Sequence, residues 1–579
     1  MALPTDAQEL TWPQKVLTLL GVLLGLLLAA LDQTIVATAG PAIQVDLHID
    51  PALYPWLTTA YMVASTVTLP IYGKLSDVFG RKPILVAGIL IFVAGSVLCG
   101  LSRGTLQLIL ARVVQGVGSA ALFTSAFTVV ADLFPPSVRG KYQGLVGAVF
   151  ALSSVVGPLL GGFLTDHLSW HWVFFVNLPV GAVALAFILL RMPPLHPRAG
   201  AARPRLDLAG ALALVVAVVP LLLALSLGRS ASAPATEGSF PWGSAPILGL
   251  FALSAVGIIL FLMAERRAHE PLLDLGLFRG RIFAVGNVTV CILGAGFLSA
   301  IVFLPLFMVN VVGLSATRSG LTLTPLTLGV VAGNVLAGQL VSRLGHYRLL
   351  MLGSLVLLTV GYAIMGFTLS PESTQAEVTL KMVLVGLGMG PSFPLYTLAI
   401  QNAVPTRQVG VATAAVTFFR QMGSTMGVAV LGTVFASTLA SQVLTRTAEA
   451  TAGLPAPVRE RLQLSGTGGS GGEGTMAGQA FPAEQVERSL RARFEARERE
   501  VEAELEGPAR TEALSRLEAE EARAVAAVGK VEHALKEGFT QATSAIYRIA
   551  ILISLVGFFL TLFLPDVPLR HTNAPAPLE

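Results

Sequence analysis

The chain has 579 residues, of which 54% are apolar and only 12% are charged, and its formal net charge is +4. Because a soluble domain carries about 25% charged residues, this composition excludes a nucleic-acid-binding protein, a disordered chain and most soluble enzymes. The small basic excess is typical of a membrane protein whose cytoplasmic loops are rich in Lys and Arg.

Apolar segments of about 20 residues, long enough to cross the ~30 Å hydrocarbon layer as helices, recur along the whole chain. Fourteen spans are predicted, which indicates an all-α integral membrane protein. They cover residues 15–38, 53–73, 83–101, 106–131, 142–165, 171–191, 207–227, 245–264, 282–310, 318–342, 348–369, 378–402, 408–438 and 546–565. Their order predicts a six-helix bundle over 1–192, two additional transmembrane helices within 193–270 and a second six-helix bundle over 271–579.

The distribution of Lys and Arg predicts the orientation of these spans. With the N-terminus in the cytoplasm, eighteen basic residues fall in inner loops and four in the short outer loops. Since cytoplasmic loops carry the excess of basic residues, we expect both termini to be cytoplasmic. One missed span would scramble this distribution, so it also supports the predicted number.

Residues 441–545, between the last two predicted spans, contain 17 of the chain's 34 acidic residues. Residues 466–478 form a Gly/Ser-rich linker, and the apolar residues that follow recur at helical spacing on both sides of Gly507. The segment is predicted to be an extracytoplasmic helical hairpin insert. The favoured interpretation is a solvated insert without a specific partner. The alternative is a cap over the exit or a docking surface for another protein.

Asp32, Arg112 and Arg420 lie inside predicted spans, where an ionisable side chain costs ~2.5–3.5 kcal/mol on insertion scales and is a functional candidate. Asp32 and Arg112 have the same predicted depth, about 13 Å below the outer surface, which suits an ion pair without showing that their helices touch. Asp32 is predicted to exchange a proton, with a purely structural hydrogen bond as the alternative. For Arg420, a gating or field-setting role and a helix-packing role are both open.

The loop that joins the second and third spans is predicted to control the cytoplasmic side. Its glycines, Gly73 and Gly80, permit a tight turn, and Asp77 can accept hydrogen bonds from the amino end of another helix. Asp132, at the inner end of the fourth span, is placed to pair with Arg81. Such contacts would form in one conformation and break in another. The alternative is a static turn.

The loop after the tenth span repeats part of this pattern. Gly338 and Gly345 recur in it at the spacing of the first copy, while Ser342 stands where Asp77 stands there. Two related halves with a site between them are a common plan of secondary transporters.

The fifth predicted span is crowded with residues that bend a helix or allow close packing: Gly157, Pro158, Gly161 and Gly162. Six further side chains are candidates for lining an apolar cavity that accepts flat or cationic compounds: Tyr61, Gln115, Phe123, Phe303, Tyr396 and Phe419. Each of them also suits ordinary packing.

Taken together, these segments resemble the major facilitator superfamily, and within it the fourteen-span multidrug:proton antiporter branch. The similar segments are residues 31–36, 55–61, 73–82, 112–118, 157–162, 172–181 and 419–423. The resemblance implies proton-driven export by alternating access, with Asp32 as the protonation and cation-recognition site. The 441–545 insert and Ser342 depart from the pattern, and the role of the insert does not transfer.

The sequence therefore predicts a multi-pass protein of a bacterial cytoplasmic membrane that exports amphipathic, chiefly cationic compounds in exchange for protons. It predicts no cofactor, no metal, no nucleic-acid partner and a monomer. It predicts no enzyme, because a nucleophile–base pair and metal-ligand spacing are not found. One alternative keeps the fold and exports an endogenous lipid, siderophore or metabolite. Another is a non-transporting receptor or scaffold that acts through the outer insert.

Overall fold

The structure is a computed structural model that describes residues 10–49, 53–54, 56–193, 207–229, 240–314, 323–405, 408–451, 483–504 and 506–570. These residues form seventeen α-helices. The first nine are α1 Trp12–Asp46, α2 Trp56–Phe79, α3 Arg81–Gly100, α4 Thr105–Leu133, α5 Pro136–His167, α6 Trp172–Phe175, α7 Asn177–Arg191, α8 Leu208–Leu227 and α9 Ala245–Arg267. The others are α10 Arg281–Asn310, α11 Leu323–Leu344, α12 Arg348–Thr368, α13 Gln375–Met389, α14 Ser392–Ala403, α15 Val409–Ala450, α16 Ala483–Glu504 and α17 Pro508–Leu562. The predicted linker 466–478 lies outside the described residues.

Thirteen helical stretches among the described residues are long and apolar enough to cross a membrane. Each overlaps one of the predicted spans, and the predicted span without such a match is the second one, which is α2. This helix carries several Thr and Ser residues as well as Lys74 and Asp77. It packs against α4 and α15, and a helix enclosed by protein does not need an apolar surface all round.

Helices α15 and α17 extend well past the predicted spans 408–438 and 546–565. Hydropathy marks only the part of a helix that suits lipid. The polar continuations are rich in Ala, Glu and Arg, which favour helix, and Pro is missing from their interior. Both helices that flank the predicted 441–545 insert therefore continue into it.

The described part of this insert is a pair of packed helices. Gly507, with a φ of +66°, lies between α16 and α17. Leu490 of α16 packs against Ala527 and Val528 of α17. The two helices thus pack against each other, and the second of them continues into the last predicted span. The position of this pair outside the membrane stays a prediction.

Two predicted spans contain a break. The twelfth is divided into α13 and α14 at Gly390-Pro391, where proline has no N–H to donate to the helix. The sixth is divided into α6 and α7 at Val176. Apart from the helices, two short strands, Gly228–Arg229 and Phe240–Pro241, pair in parallel beside α8 and α9.

The helices pack in two groups. In the first, α1 packs against α4, α5 and α7, while α2 and α3 pack against α4. In the second, α10, α12 and α15 pack against α17, and α11 packs against α13. Between them in sequence, α8 and α9 pack against each other. The predicted boundaries at 192 and 270 fall between helices, and the division into domains stays a prediction.

The two groups meet where α2 packs against α15 and where α5 packs against α11. Gly73 of α2 lies on Ala414 of α15, and Gly140 of α5 lies on Gly338 of α11. These contacts lie at the end of the molecule to which Asp77 belongs, here called the Asp77 end. Close backbone approach of this kind requires glycine, since a Cβ would overlap the facing helix.

Glycine also sets the crossing of α10 and α15. A Cβ at Gly423 would overlap the carbonyl group of Cys291, whereas a Cβ at Gly353 of α12 would meet open space. We expect Gly423→Ala to cost about 3 kcal/mol of stability, because neither backbone can move without repacking. Gly353→Ala, the matched control, should leave the melting temperature of the purified protein unchanged or slightly raised. Equal melting temperatures of the two variants would contradict this account of the crossing.

Candidate functional site

Asp32 lies in the middle of α1 and is completely buried. Its Oδ2 accepts a hydrogen bond from Nη1 of Arg112 at 2.6 Å. Its Oδ1 accepts hydrogen bonds from Nε2 of Gln115 at 2.7 Å and from Nδ2 of Asn177 at 3.1 Å. The two residues that the sequence placed at equal depth are thus in direct contact. The carboxylate thus accepts three hydrogen bonds from side chains of two neighbouring helices.

Ser96 of α3 completes this cluster. Its Oγ accepts hydrogen bonds from Nδ2 of Asn177 at 2.9 Å and from Nε2 of Gln115 at 3.2 Å. We call Asp32, Ser96, Arg112, Gln115 and Asn177 the Asp32 network. It joins four helices, α1, α3, α4 and α7. The roles of Ser96 and Asn177 were not predicted, although an Asn inside an apolar span is itself a signal.

Arg112 is buried and makes several polar contacts. It donates Nε to the carbonyl of Leu57 at 2.9 Å and Nη1 to Oε1 of Gln115 at 2.6 Å, besides its bond to Asp32. The ring of Tyr61 lies against the guanidinium, 4.4 Å from its carbon to the ring centre. Removing one partner of a buried ion pair leaves an uncompensated charge, so each member depends on the other.

A cavity of about 270 Å³ lies between α1 and α2 on the side of the Asp32 network away from the Asp77 end. Its lining residues are Val36, Ala37, Gly40, Tyr54, Leu57, Thr58 and Thr59. Val36 is one helical turn from Asp32, and Leu57 is the residue whose carbonyl accepts from Arg112. The cavity therefore reaches the neighbourhood of the buried ion pair.

Arg420, in the membrane-spanning part of α15, has a different environment. It is half-buried, and its guanidinium carbon lies 5.2 Å from the centre of the Phe393 ring. Among the described residues, the structure gives its side chain no carboxylate partner and no hydrogen bond. A cation–π contact returns about 1–2 kcal/mol, less than the ~2.5–3.5 kcal/mol that an arginine costs at this depth. Packing on Phe393 alone thus does not account for Arg420.

Asp77 connects the two helix groups. Its Oδ1 accepts from the backbone N–H of Gly410 at 3.1 Å and from Nη1 of Arg81 at 2.5 Å, and its Oδ2 accepts from the N–H of Val411 at 2.9 Å. Arg81 also donates Nε to Oδ2 of Asp132 at 2.7 Å. Since Gly410 and Val411 begin α15, the carboxylate lies at the positive end of a helix dipole. We call these five residues the Asp77 cluster.

The predicted loop 73–82 is wrong in length. Helix α2 continues almost to Gly80, and α3 begins at Arg81, so that a single residue forms the turn. Gly80 adopts a φ of +92°, a conformation that favours glycine. The polar residues of this segment were taken as loop-forming, but their partners on α15 and α4 allow them to remain helical.

A second polar contact joins the helix groups and was not predicted. Arg139 and Gln143 of α5 donate to Oε1 of Gln401 at 3.3 and 3.1 Å, and Gln401 donates to the hydroxyl of Thr413 at 2.8 Å. Arg139 was counted only as a basic loop residue, yet it is buried. Sequence position gave no signal that these side chains converge, because they come from three different helices.

The glycines of α5 bring it close to α1. A Cβ at Gly157 or Gly161 would overlap a hydroxyl of α1, and the hydroxyl of Thr34 donates to the carbonyl of Ser153 at 2.9 Å. Gly162 faces open space, and Pro158 lies inside the helix. Two of the three predicted glycines therefore make the contact between α1 and α5.

The six candidate cavity residues have different contacts in this structure. Tyr61 and Gln115 belong to the surroundings of Asp32. Phe123 stacks on Phe150, Phe303 stacks on Phe435, and Phe419 lies edge-on to Phe278. Tyr396 is completely buried and forms a hydrogen bond with the hydroxyl of Thr561. That they line a common space stays a prediction, since the contacts of these residues in this structure are also those of ordinary core packing.

The fold and the site define a multi-pass membrane protein with a buried charged network in its interior. The Major Facilitator Superfamily is the family whose sequence model matches this chain, over residues 22–428. The chain belongs to this superfamily, which consists of transporters and not of enzymes. The match ends before the 441–545 insert.

Individual relatives agree with this assignment. "Multidrug resistance protein 3" of Bacillus subtilis (strain 168) is 41% identical over 416 residues, which are 72% of this chain and 78% of that protein. "Multidrug transporter protein MdtP" of the same organism is 39% identical over 421 residues, 73% of this chain and 75% of that protein. The crystal structure of the human organic anion transporter MFSD10 (TETRAN) is similar with a TM-score of 0.54 at 17% identity, covering 73% of this chain and 94% of that one. That structural likeness shows the fold.

Proposed function

We propose that the protein is a proton-driven exporter of amphipathic, drug-like compounds in a bacterial cytoplasmic membrane. In this proposal the chain has fourteen spans, with α2 as the one whose composition is least apolar. Both termini are cytoplasmic, as the Lys and Arg distribution favours, and the hairpin of α16 and α17 lies outside. The names of the two Bacillus relatives support drug-like cargo. The protein acts as a monomer.

The buried ion pair of Asp32 and Arg112 is the observation that carries this proposal. An ionisable side chain buried inside a membrane protein is a functional candidate, and in this proposal Asp32 gains and loses the proton that drives export. Protonation would neutralise Asp32 and leave Arg112 without its counter-charge. The hydrogen bonds of the Asp32 network would then rearrange, which links the proton to the positions of α1, α3, α4 and α7.

The cavity between α1 and α2 supports access of protons from the outside. It lies on the side of the Asp32 network away from the Asp77 end, and with cytoplasmic termini that side is external. Its Thr58 and Thr59 hydroxyls suit water. A proton that enters there would release a bound compound outward, and its loss to the cytoplasm would restore the charged network.

The contacts at the Asp77 end support alternating access. The hydrogen bonds of the Asp77 cluster and of Gln401 hold the two helix groups together on the proposed cytoplasmic side. We infer that this arrangement is closed to the cytoplasm. Opening would break these bonds together, as expected of a bistable interface.

Transport in proteoliposomes tests the proposed function. Purified protein is reconstituted with an imposed pH gradient, and a panel of fluorescent amphipathic compounds is offered. We expect at least one compound to move against its own gradient, with a matching movement of protons, and both movements to stop when a protonophore collapses the gradient. Transport that persists without the gradient, or exchange confined to lipids or metabolites, would contradict the proposal.

A further inference from the structure

We propose that Arg420, together with the ring of Phe393, is a binding site for an acidic group of the exported compound, so that anionic amphipathic compounds belong to the cargo. The inference deepens the proposed function and rests on it. It adds a substrate class to the cationic compounds that the sequence predicted.

The first step concerns the charge of Arg420. A guanidinium stays protonated in proteins, so the positive charge persists inside the span. In the described part of the chain, the guanidinium lies over the face of Phe393 and has no ion pair. The side chain is half-buried rather than enclosed. An unpaired cation that is accessible at this depth is a strong attractor for an anion.

The second step compares Arg420 with the other buried charges. The carboxylate of Asp32 already accepts three hydrogen bonds, and the charge of Arg112 balances its own. A bound compound gains no free charge from this pair. Among the residues that the structure describes, Arg420 therefore offers an unbalanced positive charge near the middle of the spans, which favours an acidic partner over a basic one.

The third step concerns the surroundings of the guanidinium. Phe393 lies under Arg420, and Phe297 of α10 packs edge-on to Phe393 with 5.1 Å between ring centres. An aromatic surface beside a cation suits a flat apolar body that carries one acidic group. The planar guanidinium binds a carboxylate through two parallel hydrogen bonds, which an ammonium group does not offer.

Two xanthene dyes with similar ring systems test the site: fluorescein, which is anionic, and rhodamine 123, which is a cationic ester. Binding to the purified protein is followed by fluorescence anisotropy, and transport is measured in proteoliposomes with a pH gradient. We expect Arg420→Gln to weaken fluorescein binding and transport about tenfold or more. Rhodamine 123 should change less than about twofold. Arg446→Gln, on the same helix but paired with Glu537 far from the site, is the matched control and should change neither dye.

Arg420→Lys keeps the positive charge but removes the planar guanidinium, so it distinguishes the effect of charge from that of geometry. It also replaces Arg420→Gln in the test if that variant does not fold. It should weaken fluorescein binding about threefold to tenfold and leave rhodamine 123 unchanged. Equal loss of both dyes in the Arg420 variants, or a wild type that transports rhodamine 123 but does not bind fluorescein, would overturn the anion site. A wild type that transports neither dye would count against the proposed function, and fluorescein binding would then still decide the anion site.

Discussion

Proteoliposomes that carry Asp32→Asn are expected to lose proton movement in response to added compound, by at least about a hundredfold relative to the wild type. Asparagine has the shape of the protonated acid but cannot exchange a proton, so the Asp32 network would remain in one charge state. Compound binding should weaken, because Asn stands for the protonated state from which the compound is released. The measurement is the fluorescence of an internal pH indicator after the compound is added. Coupled exchange at the wild-type rate would remove Asp32 from the mechanism.

Stability and coupling can be separated at this site. Asp32→Asn leaves the charge of Arg112 buried without a partner, which costs about 3–5 kcal/mol. The double variant Asp32→Asn/Arg112→Gln removes both charges, so its melting temperature should recover while coupling stays absent. Asp46→Asn is the control on the same helix, since Asp46 accepts a hydrogen bond from Trp170 and does not belong to the Asp32 network. It should retain both stability and coupling.

The second large effect is expected at the Asp77 end. Asp77→Asn removes the charge that Arg81 and the first turn of α15 share. Hydrogen bonds to a charged group contribute about 1.5–3 kcal/mol, so the population open at this end should rise about tenfold or more. A cysteine at Val411, in a chain whose Cys99 and Cys291 are replaced, reports this opening. Its labelling rate with a maleimide should increase by the same factor.

Asp566→Asn is the matched control for this experiment. Asp566 lies at the same end of the molecule, but its partner is His346 within the same helix group. Its replacement should leave the labelling rate at position 411 unchanged. If Asp77→Asn labels no faster than this control, the Asp77 cluster is a static turn, as the alternative interpretation of the sequence had it.

The sequence predicted more of the site than its individual motifs suggest, because the position of a residue within a span gives its depth in the membrane. Counting residues from the ends of two spans placed Asp32 and Arg112 at one level, and the structure has them 2.6 Å apart. Counting gives position along a helix but not the direction in which a side chain points. The contacts of Ser96, Asn177 and Gln401 were therefore not predicted, and the grouping of the six aromatic and polar candidates stays a prediction.

The 441–545 insert was also predicted in part from the sequence and in part not. Its composition and helical periodicity predicted two helices, and Leu490 does pack against the second one. Hydropathy could not show that α15 and α17 continue into the insert without interruption. A hydropathy window detects the apolar part of a helix, so the predicted span ends where charged residues begin. Continuity depends on local helix propensity, which carries no information about the membrane.

By itself, the sequence determined the class of protein, the series of spans and the depth of each buried charge, because these depend on composition and on the fixed rise of a helix. Only the tertiary structure decided which buried charges are neutralised. Asp32 and Arg112, on two different helices, form an ion pair, whereas Arg420 contacts an aromatic ring and not a carboxylate. That outcome depends on the rotation and contact of neighbouring helices, which no single helix encodes.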